Sequence, residues 1–264
     1  MRKWRHFAAK FKKLKKGMVI IMIELLFLYP DLLNLYGDHA NVLAVRKYLE
    51  GCQKKVNVCR ADFKTKLNFA DFDAVFVGSG TESAVDRAIK ELLPYKEEIV
   101  NYVENGGVFV STGTSMEIFA KNILSERDSH AGLGIFGYNA KRDKNRRILA
   151  DIICESEYFD KKTIGFANRC SEFEGIDEPL FKVVFGVGCA KNDPREGIMH
   201  KNFIGSTLTG PLLVRNPHLL EYVCERIAEK AGEPLEQRGE LKLAQQAYEI
   251  ALSELEKRAS EEKR

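Results

Sequence analysis

Three short stretches of this chain carry the residue types that chemistry at a strand end would need. Gly78-Ser79-Gly80 follows one apolar run, Thr112-Gly113-Thr114-Ser115-Met116-Glu117 follows another, and Ser206-Thr207-Leu208-Thr209-Gly210-Pro211 closes a third. Glycine-bordered turns that enter helices can aim backbone N–H groups at an anion. Glu117, beside the second turn, opposes such a guest. A serine or threonine nucleophile needs an adjacent base, because its hydroxyl stays protonated at neutral pH. None of the three stretches contains a histidine, and no cysteine lies between Cys59 and Cys154. The six cysteines (Cys52, Cys59, Cys154, Cys170, Cys189, Cys224) show no C-x-x-C pair and no metal-ligand spacing, so they read as mostly buried thiols. No metal and no cofactor are expected.

The elements that must position these stretches alternate from residue 18 onward. Apolar runs at 18–28, 54–60, 73–78 and 107–112 read as strands, with helical patterns at about 38–50, 84–104 and 115–124 between and after them. Short continuous apolar strands separated by amphipathic helices predict a mostly parallel, twisted α/β sheet covered on both faces. Ligands of such sheets sit at the carboxyl ends of the strands. Further short strands are predicted at 133–138, 147–153, 163–167, 181–187 and 202–208, and a helix over 216–231 opens at Asn216-Pro217. Gly232-Glu233-Pro234 breaks the chain. The domain expected is therefore 18–232, between a basic arm (1–17) and a charged C-terminal helix or tail (233–264) whose Leu241, Ala244, Tyr248, Ala251, Leu252, Leu255 and Ala259 recur at helical spacing.

Charge is unevenly placed. The 264 residues carry 41 basic and 38 acidic groups, a net +3, yet eight of the basic ones lie in residues 1–17 with no acid among them. Setting that arm aside leaves 33 basic against 38 acidic groups, a net −5, which gives no case for nucleic-acid binding. In the arm, Trp4, Phe7, Phe11 and Leu14 interleave with the basic residues, so contact of residues 2–16 with an anionic membrane surface is one reading and a plain tail or misassigned start the other. The apolar run 18–28 imitates a signal peptide, but it is short, contains Glu24 and has no small-residue cleavage site. A cytoplasmic protein is expected.

The strongest motif is Leu28-Tyr29-Pro30-Asp31-Leu32-Leu33-Asn34-Leu35-Tyr36-Gly37-Asp38-His39-Ala40-Asn41. As a local pattern it predicts a strand end, a turn permitted by Gly37, and Asp38 capping the next helix. It resembles the L-Y-P-D-x-x-N-x-Y-G-D-x-x-N opening of CobB/CobQ-type class I glutamine amidotransferases, and within that group the glutaminase subunits of lipid II isoglutaminyl synthases. Asp73–Gly80 resembles the family's strand into a Gly-rich loop, Ile164-Gly165-Phe166-Ala167-Asn168 its G-F-E-N segment, and Glu196–Leu213 its E-G-x-x-x-K-N-x-x-G-T-Y-L-H-G-P-L-L. The resemblance covers about residues 23–231. It implies a class I amidotransferase-like, flavodoxin-like fold, and an activity in which a cysteine thiolate at a strand-to-helix elbow attacks the glutamine amide while a histidine relays the proton.

This chain departs from that pattern at both reactive positions. Against A-I-C-G-G-Y-Q-L-L-G it offers Ser111–Ala120, so Gly113 stands for the cysteine, or Thr112 after a one-residue shift. The histidine of Y-L-H-G-P is Thr209, and the Q-D-R-E-Q tract is Thr81-Glu82-Ser83-Ala84-Val85. His39 sits near the top of the sheet, His200 lies upstream of the family's histidine, and His6, His130 and His218 have no motif. The resemblance therefore implies a non-catalytic subunit that binds or regulates a Mur-ligase-like partner in cell-wall precursor amidation. Pocket candidates are Gly78, Ser79, Gly80, Thr114, Ser115, Glu117 and Asn168. The alternatives are an active glutaminase with a substitute nucleophile, and a sensor that still binds glutamine or a related amide.

Overall fold

The computed structural model describes residues 11–13, 19–126 and 128–262, so the reading of the arm as a membrane contact lies almost wholly outside the described residues. A strand β1 (Phe11–Lys13) lies within the stretch expected as an arm; from there the first half alternates as expected: β2 (Val19–Leu28), α1 (His39–Gly51), β3 (Lys55–Ala61), β4 (Ala74–Val77), α2 (Glu82–Leu92), α3 (Lys96–Glu104), β5 (Val108–Thr112) and α4 (Met116–Phe119). The predicted helix 84–104 is two helices, α2 and α3, parted by the turn Leu93–Tyr95, where Pro94 has no N–H to continue the ladder.

The second half contributes β6 (Asn122–Leu124), β7 (His130–Ala131), β8 (Asn139–Arg142), β9 (Ile148–Glu155), β10 (Thr163–Arg169), β11 (Ser171–Glu174), β12 (Phe181–Phe185), β13 (Arg195–Glu196), β14 (Ile198–His200), β15 (Phe203–Ser206), β16 (Leu208–Thr209), α5 (Leu212–Arg215), α6 (Pro217–Lys230) and α7 (Lys242–Glu261). The main sheet runs β3, β2, β4, β5, β15, β14, with β1 antiparallel against the start of β2. Neighbours from β3 to β15 are parallel and β14 is antiparallel. Only β14 and β15 of the later strands join this sheet. The others form an antiparallel sheet in the order β13, β12, β9, β10, β16, and a small one in the order β11, β8, β6, β7.

Alternation along each strand divides the core. Leu26, Leu28, Val75, Val77 and Phe109 face α2, α3 and α4, whereas Ile23, Leu25, Phe27, Phe76 and Val110 face α1 and α6. α7 lays Tyr248 and Leu255 on Ile153 and Ile164 of the second sheet, and Arg258 reaches Asp151 at 2.6 Å.

Two sequence expectations fail here for identifiable reasons. Residues 133–138 form no strand: Gly132 lies against the Ala120 carbonyl, Gly134 takes φ +62°, and Leu133 and Tyr138 are buried from a loop. The helix predicted near 115–124 ends at Phe119. Ala120 turns extended, and residues 122–124 pair with β7 and β8 instead.

Candidate functional site

The main sheet reverses direction of growth at β2, whose neighbours β3 and β4 lie on opposite sides; ligands of open α/β sheets bind in the crevice above such a point. Register aligns the strand ends there, since Leu28 pairs with Val77, Val77 with Ser111 and Ser111 with Gly205. The loops leaving β2, β4 and β5 therefore converge, and β16 arrives from the second sheet. Ser79, Gly113 and Thr209 meet as a result.

Gly113 holds φ +65°, the left-handed conformation that glycine adopts without strain, while Thr112 before it is extended. A Cβ built on Gly113 would stand 1.9 Å from the Ser79 Oγ and 3.0 Å from the Thr209 Cγ2. The space that a side chain at this elbow would need is thus occupied by the Ser79 hydroxyl. Behind the turn, Phe109, Phe119 and Phe203 pack with ring centroids 4.9–5.4 Å apart, which anchors α4 and the elbow. Burying each such ring contributes roughly 1.5–3 kcal/mol.

The hydroxyls of the site are committed to neighbours. The Ser79 hydroxyl donates to the Thr112 carbonyl (3.2 Å), as does that of Ser115 (2.9 Å); that of Thr114 donates to the Gly80 carbonyl (2.8 Å) and that of Thr209 to the Phe166 carbonyl (2.9 Å). Two of the N–H groups expected to form an open nest are taken as well. Ser79 N–H donates to the Asp38 carboxylate (3.0 Å) and Gly80 N–H to the Thr114 hydroxyl (2.9 Å).

Asp38 was expected to cap α1, yet its side chain makes no cap bond. It turns inward, accepting from Ser79 N–H and from the Thr112 hydroxyl at 2.6 Å. Gly78 permits this approach, because a Cβ there would fall 2.4 Å from the Asp38 Cβ. Burial raises the Asp38 carboxyl's pKa against the pull of those two donors. Asn216 likewise caps nothing: its amide bridges Ile164 N–H, the Ile164 carbonyl and the Leu212 carbonyl, joining α6 to the second sheet.

Two pocket candidates, Glu117 and Asn168, are bonded to arginines. Glu117 is 1% exposed and accepts from Arg142 (Nε at 2.8 Å, Nη2 at 2.5 Å) and from the Ser171 hydroxyl, with Arg142 also reaching Asp86 at 2.8 Å. Burial pushes the Glu117 carboxyl up while Arg142 pulls it down. This network pins the small sheet to α2 and α4 and presents no free carboxylate to a ligand. Asn168, on β10, accepts from Arg147 Nε at 2.6 Å through its side chain; Arg147 also bonds the Tyr36 hydroxyl at 3.0 Å.

No described histidine reaches this cluster. His39 stacks on Phe27, His130 meets Asp86, His218 meets Thr163, and both ring nitrogens of His200 meet carboxylates, Glu178 at 2.7 Å and Glu104 at 2.9 Å. All six cysteines are free thiols with raised pKa, burial being the first cause in each. Cys170, which donates to Glu82 at 2.9 Å, is pushed up to about 11. A thiol so raised is a poor nucleophile at neutral pH. Sequence reasoning missed Arg142, whose only signal was its place in a charged run, and the clamp role of Asp38, which no local pattern encodes. Among the described residues, no group of three or more His, Cys, Asp or Glu side chains is placed to hold a metal ion, and no helix is long and apolar enough to cross a membrane.

Comparison with known proteins bears on the family and the fold. The subunit GatD of lipid II isoglutaminyl synthase (glutamine-hydrolyzing) from Staphylococcus aureus is 32% identical over 208 residues, 78% of this chain and 84% of the relative. Its namesake from Streptococcus pneumoniae is 28% identical over 226 residues, 84% of this chain and 87% of that one. Among solved structures, PurLQS from Thermotoga maritima superposes with a TM-score of 0.50 at 14% identity, covering 79% of this chain and 96% of that chain, a likeness of fold alone. The family model of the CobB/CobQ-like glutamine amidotransferase domain matches residues 24–217, and this chain, with its class I amidotransferase fold, belongs to that family.

Proposed function

We propose that this chain is a non-catalytic amidotransferase-like subunit that binds or regulates a Mur-ligase-like partner in cell-wall precursor amidation. One observation carries the reading. Gly113, which aligns with the family's cysteine, packs against Ser79 and against Thr209, which aligns with the family's histidine, and the N–H groups of Ser79 and Gly80 are bonded within the chain. Glutamine hydrolysis needs a nucleophile, a proton relay and free donors for the oxyanion; Gly113 and Thr209 supply neither of the first two, and Ser79 and Gly80 have spent their donors. The relatives are named as subunits of a synthase, which supports a partner protein as the object of binding. The test is glutamate release from glutamine by the purified chain, together with co-purification of a Mur-ligase-like protein. The reading expects no release above background and a stable complex.

A second reading has its own observation. The Thr112 hydroxyl donates to the Asp38 carboxylate at 2.6 Å, the relation of a hydroxyl nucleophile to its base. Both side chains are 2% exposed, which disfavours access by substrate. Steady glutamate release abolished by Thr112→Val, or by Thr114→Ala or Ser115→Ala, would establish an active glutaminase and remove the first reading.

A further inference from the structure

A groove of about 1280 Å³ opens beside the carboxyl ends of β2 and β3, on the free edge of the main sheet. None of Gly78–Gly80, Gly113–Ser115 or Thr209 lines it, so it is separate from the elbow. Residues 62–68 run over it after β3, and burial alternates along them. Phe63, Thr65 and Leu67 turn inward and are half-buried, whereas Asp62, Lys64, Lys66 and Asn68 are exposed. The segment opens with a turn, Thr65 N–H donating to the Asp62 carbonyl at 3.1 Å, and makes a strap that lines the groove from Asp62 to Asn68, with Phe63 and Leu67 packed on the core.

The wall is aromatic. The rings of Tyr29 and Phe63 lie 4.4 Å apart, Phe72 adds a third, and Cys59, the one described cysteine that is not buried, lines the same space. Tyr29 holds φ +51°, a conformation that a bulky side chain adopts only where its surroundings over-determine it, as at ligand clamps. The rim is charged, and its charges are unequally committed. Asp31 accepts from Arg60 at 3.2 Å, and Asp62 accepts from Lys64 N–H and the Thr65 hydroxyl, each at 2.9 Å. The ammonium groups of Lys64 and Lys66 form no salt bridge among the described residues, and Asp71 is the remaining carboxylate on the lining. An apolar, concave wall with a few convergent polar groups is the usual makeup of a small-molecule site.

We propose that this groove binds a soluble anionic amphiphile, with an aromatic or short alkyl body against Tyr29, Phe63 and Phe72 and its carboxylate, sulfonate or phosphate on Lys64 and Lys66. The site is independent of whether the elbow is catalytic. The test uses the full chain and the fluorescent probe anilinonaphthalene sulfonate. The expected result is saturable binding at one site per chain, displaced by dodecanoate and not by dodecanol. Binding should weaken about tenfold in Lys64→Glu/Lys66→Glu, a surface variant whose thermal midpoint should match the parent. Bound probe should also slow alkylation of Cys59 by N-ethylmaleimide in the native protein. Non-saturable fluorescence, equal affinity in the charge-reversed variant, or unchanged Cys59 alkylation would overturn the proposal, as would binding seen only with anionic vesicles and never with the free probe.

Discussion

Restoring a side chain at the elbow should fail unless a second residue is removed with it. In Gly113→Cys, two costs arise. A residue with a Cβ at φ +65° pays about 1–2 kcal/mol for the left-handed conformation. The new Cβ would also lie 1.9 Å from the Ser79 Oγ, so the hydroxyl must rotate away, losing its bond to the Thr112 carbonyl. That bond is worth about 1 kcal/mol, and crowding a packed site adds roughly 1–3 kcal/mol. Together these put Gly113→Cys about 3–6 kcal/mol below the parent, a large share of ordinary domain stability. Ser79→Gly removes the obstructing hydroxyl and leaves only the backbone cost, so the double variant should recover the crowding component.

Urea unfolding of the parent, both single variants and the double variant closes a mutant cycle. A coupling of about 1–3 kcal/mol in favour of the pair is expected. Additive changes, or a Gly113→Cys protein as stable as the parent, would show that Ser79 does not hold the space and would refute the account of the elbow. Thr209 is the lesser obstacle at 3.0 Å, so adding Thr209→His should change the coupling little.

Three other perturbations follow from buried charge and covered surface. Arg142→Met leaves Glu117 buried without its partner and should cost about 3–5 kcal/mol in urea unfolding, while Glu117→Gln/Arg142→Met should recover part of the loss. Burial pushes the His218 ring down from 6.5 to about 4, so the native state favours the neutral ring and the unfolded chain takes up the proton first. Its contribution is therefore present above 6.5 and lost as pH falls toward 4, at most about 3 kcal/mol, and His218→Phe should flatten that part of a stability–pH curve. Ending the chain before Lys242 uncovers Ile153 and Ile164, so thermal unfolding should shift down and hydrogen exchange in β9 and β10 should quicken.

The sheet was legible because its strands are written as runs of one kind. Val19–Leu28 is apolar on both faces, as a strand covered on both sides must be, and the single Glu24 is accommodated by the Asn57 amide at 2.7 Å. The same cue misled at 133–138, where an apolar run surrounds Gly134 and Gly137 and packs as a loop. Periodicity reports burial and cannot say whether a backbone ladder exists. Asp38 shows a different limit. Its place before a helix signals a cap, but the carboxylate's partners, Ser79 N–H and Thr112, lie 41 and 74 residues onward, and only the closure of the sheet brings them within reach.

That the aligned positions carry neither a thiol nor an imidazole can be read from residue types, since Gly113 and Thr209 bring neither group. What took their place could not be read that way, because Ser79, Gly113 and Thr209 come from the ends of three different strands. Their meeting is a property of the fold and not of any one segment. The hydroxyls of Ser79, Thr114, Ser115 and Thr209 donate to carbonyls, the loop N–H groups of Ser79 and Gly80 find acceptors in Asp38 and Thr114, and the seat of a side chain at Gly113 is filled. These bonds hold the three strand ends together. A polar group bonded inside a buried cluster resists withdrawal, because breaking one bond exposes both partners to the cost of burial without a mate. It follows that a side chain at Gly113 is accommodated only by changing several positions together, because Ser79 and Thr209 already stand in the space it would need.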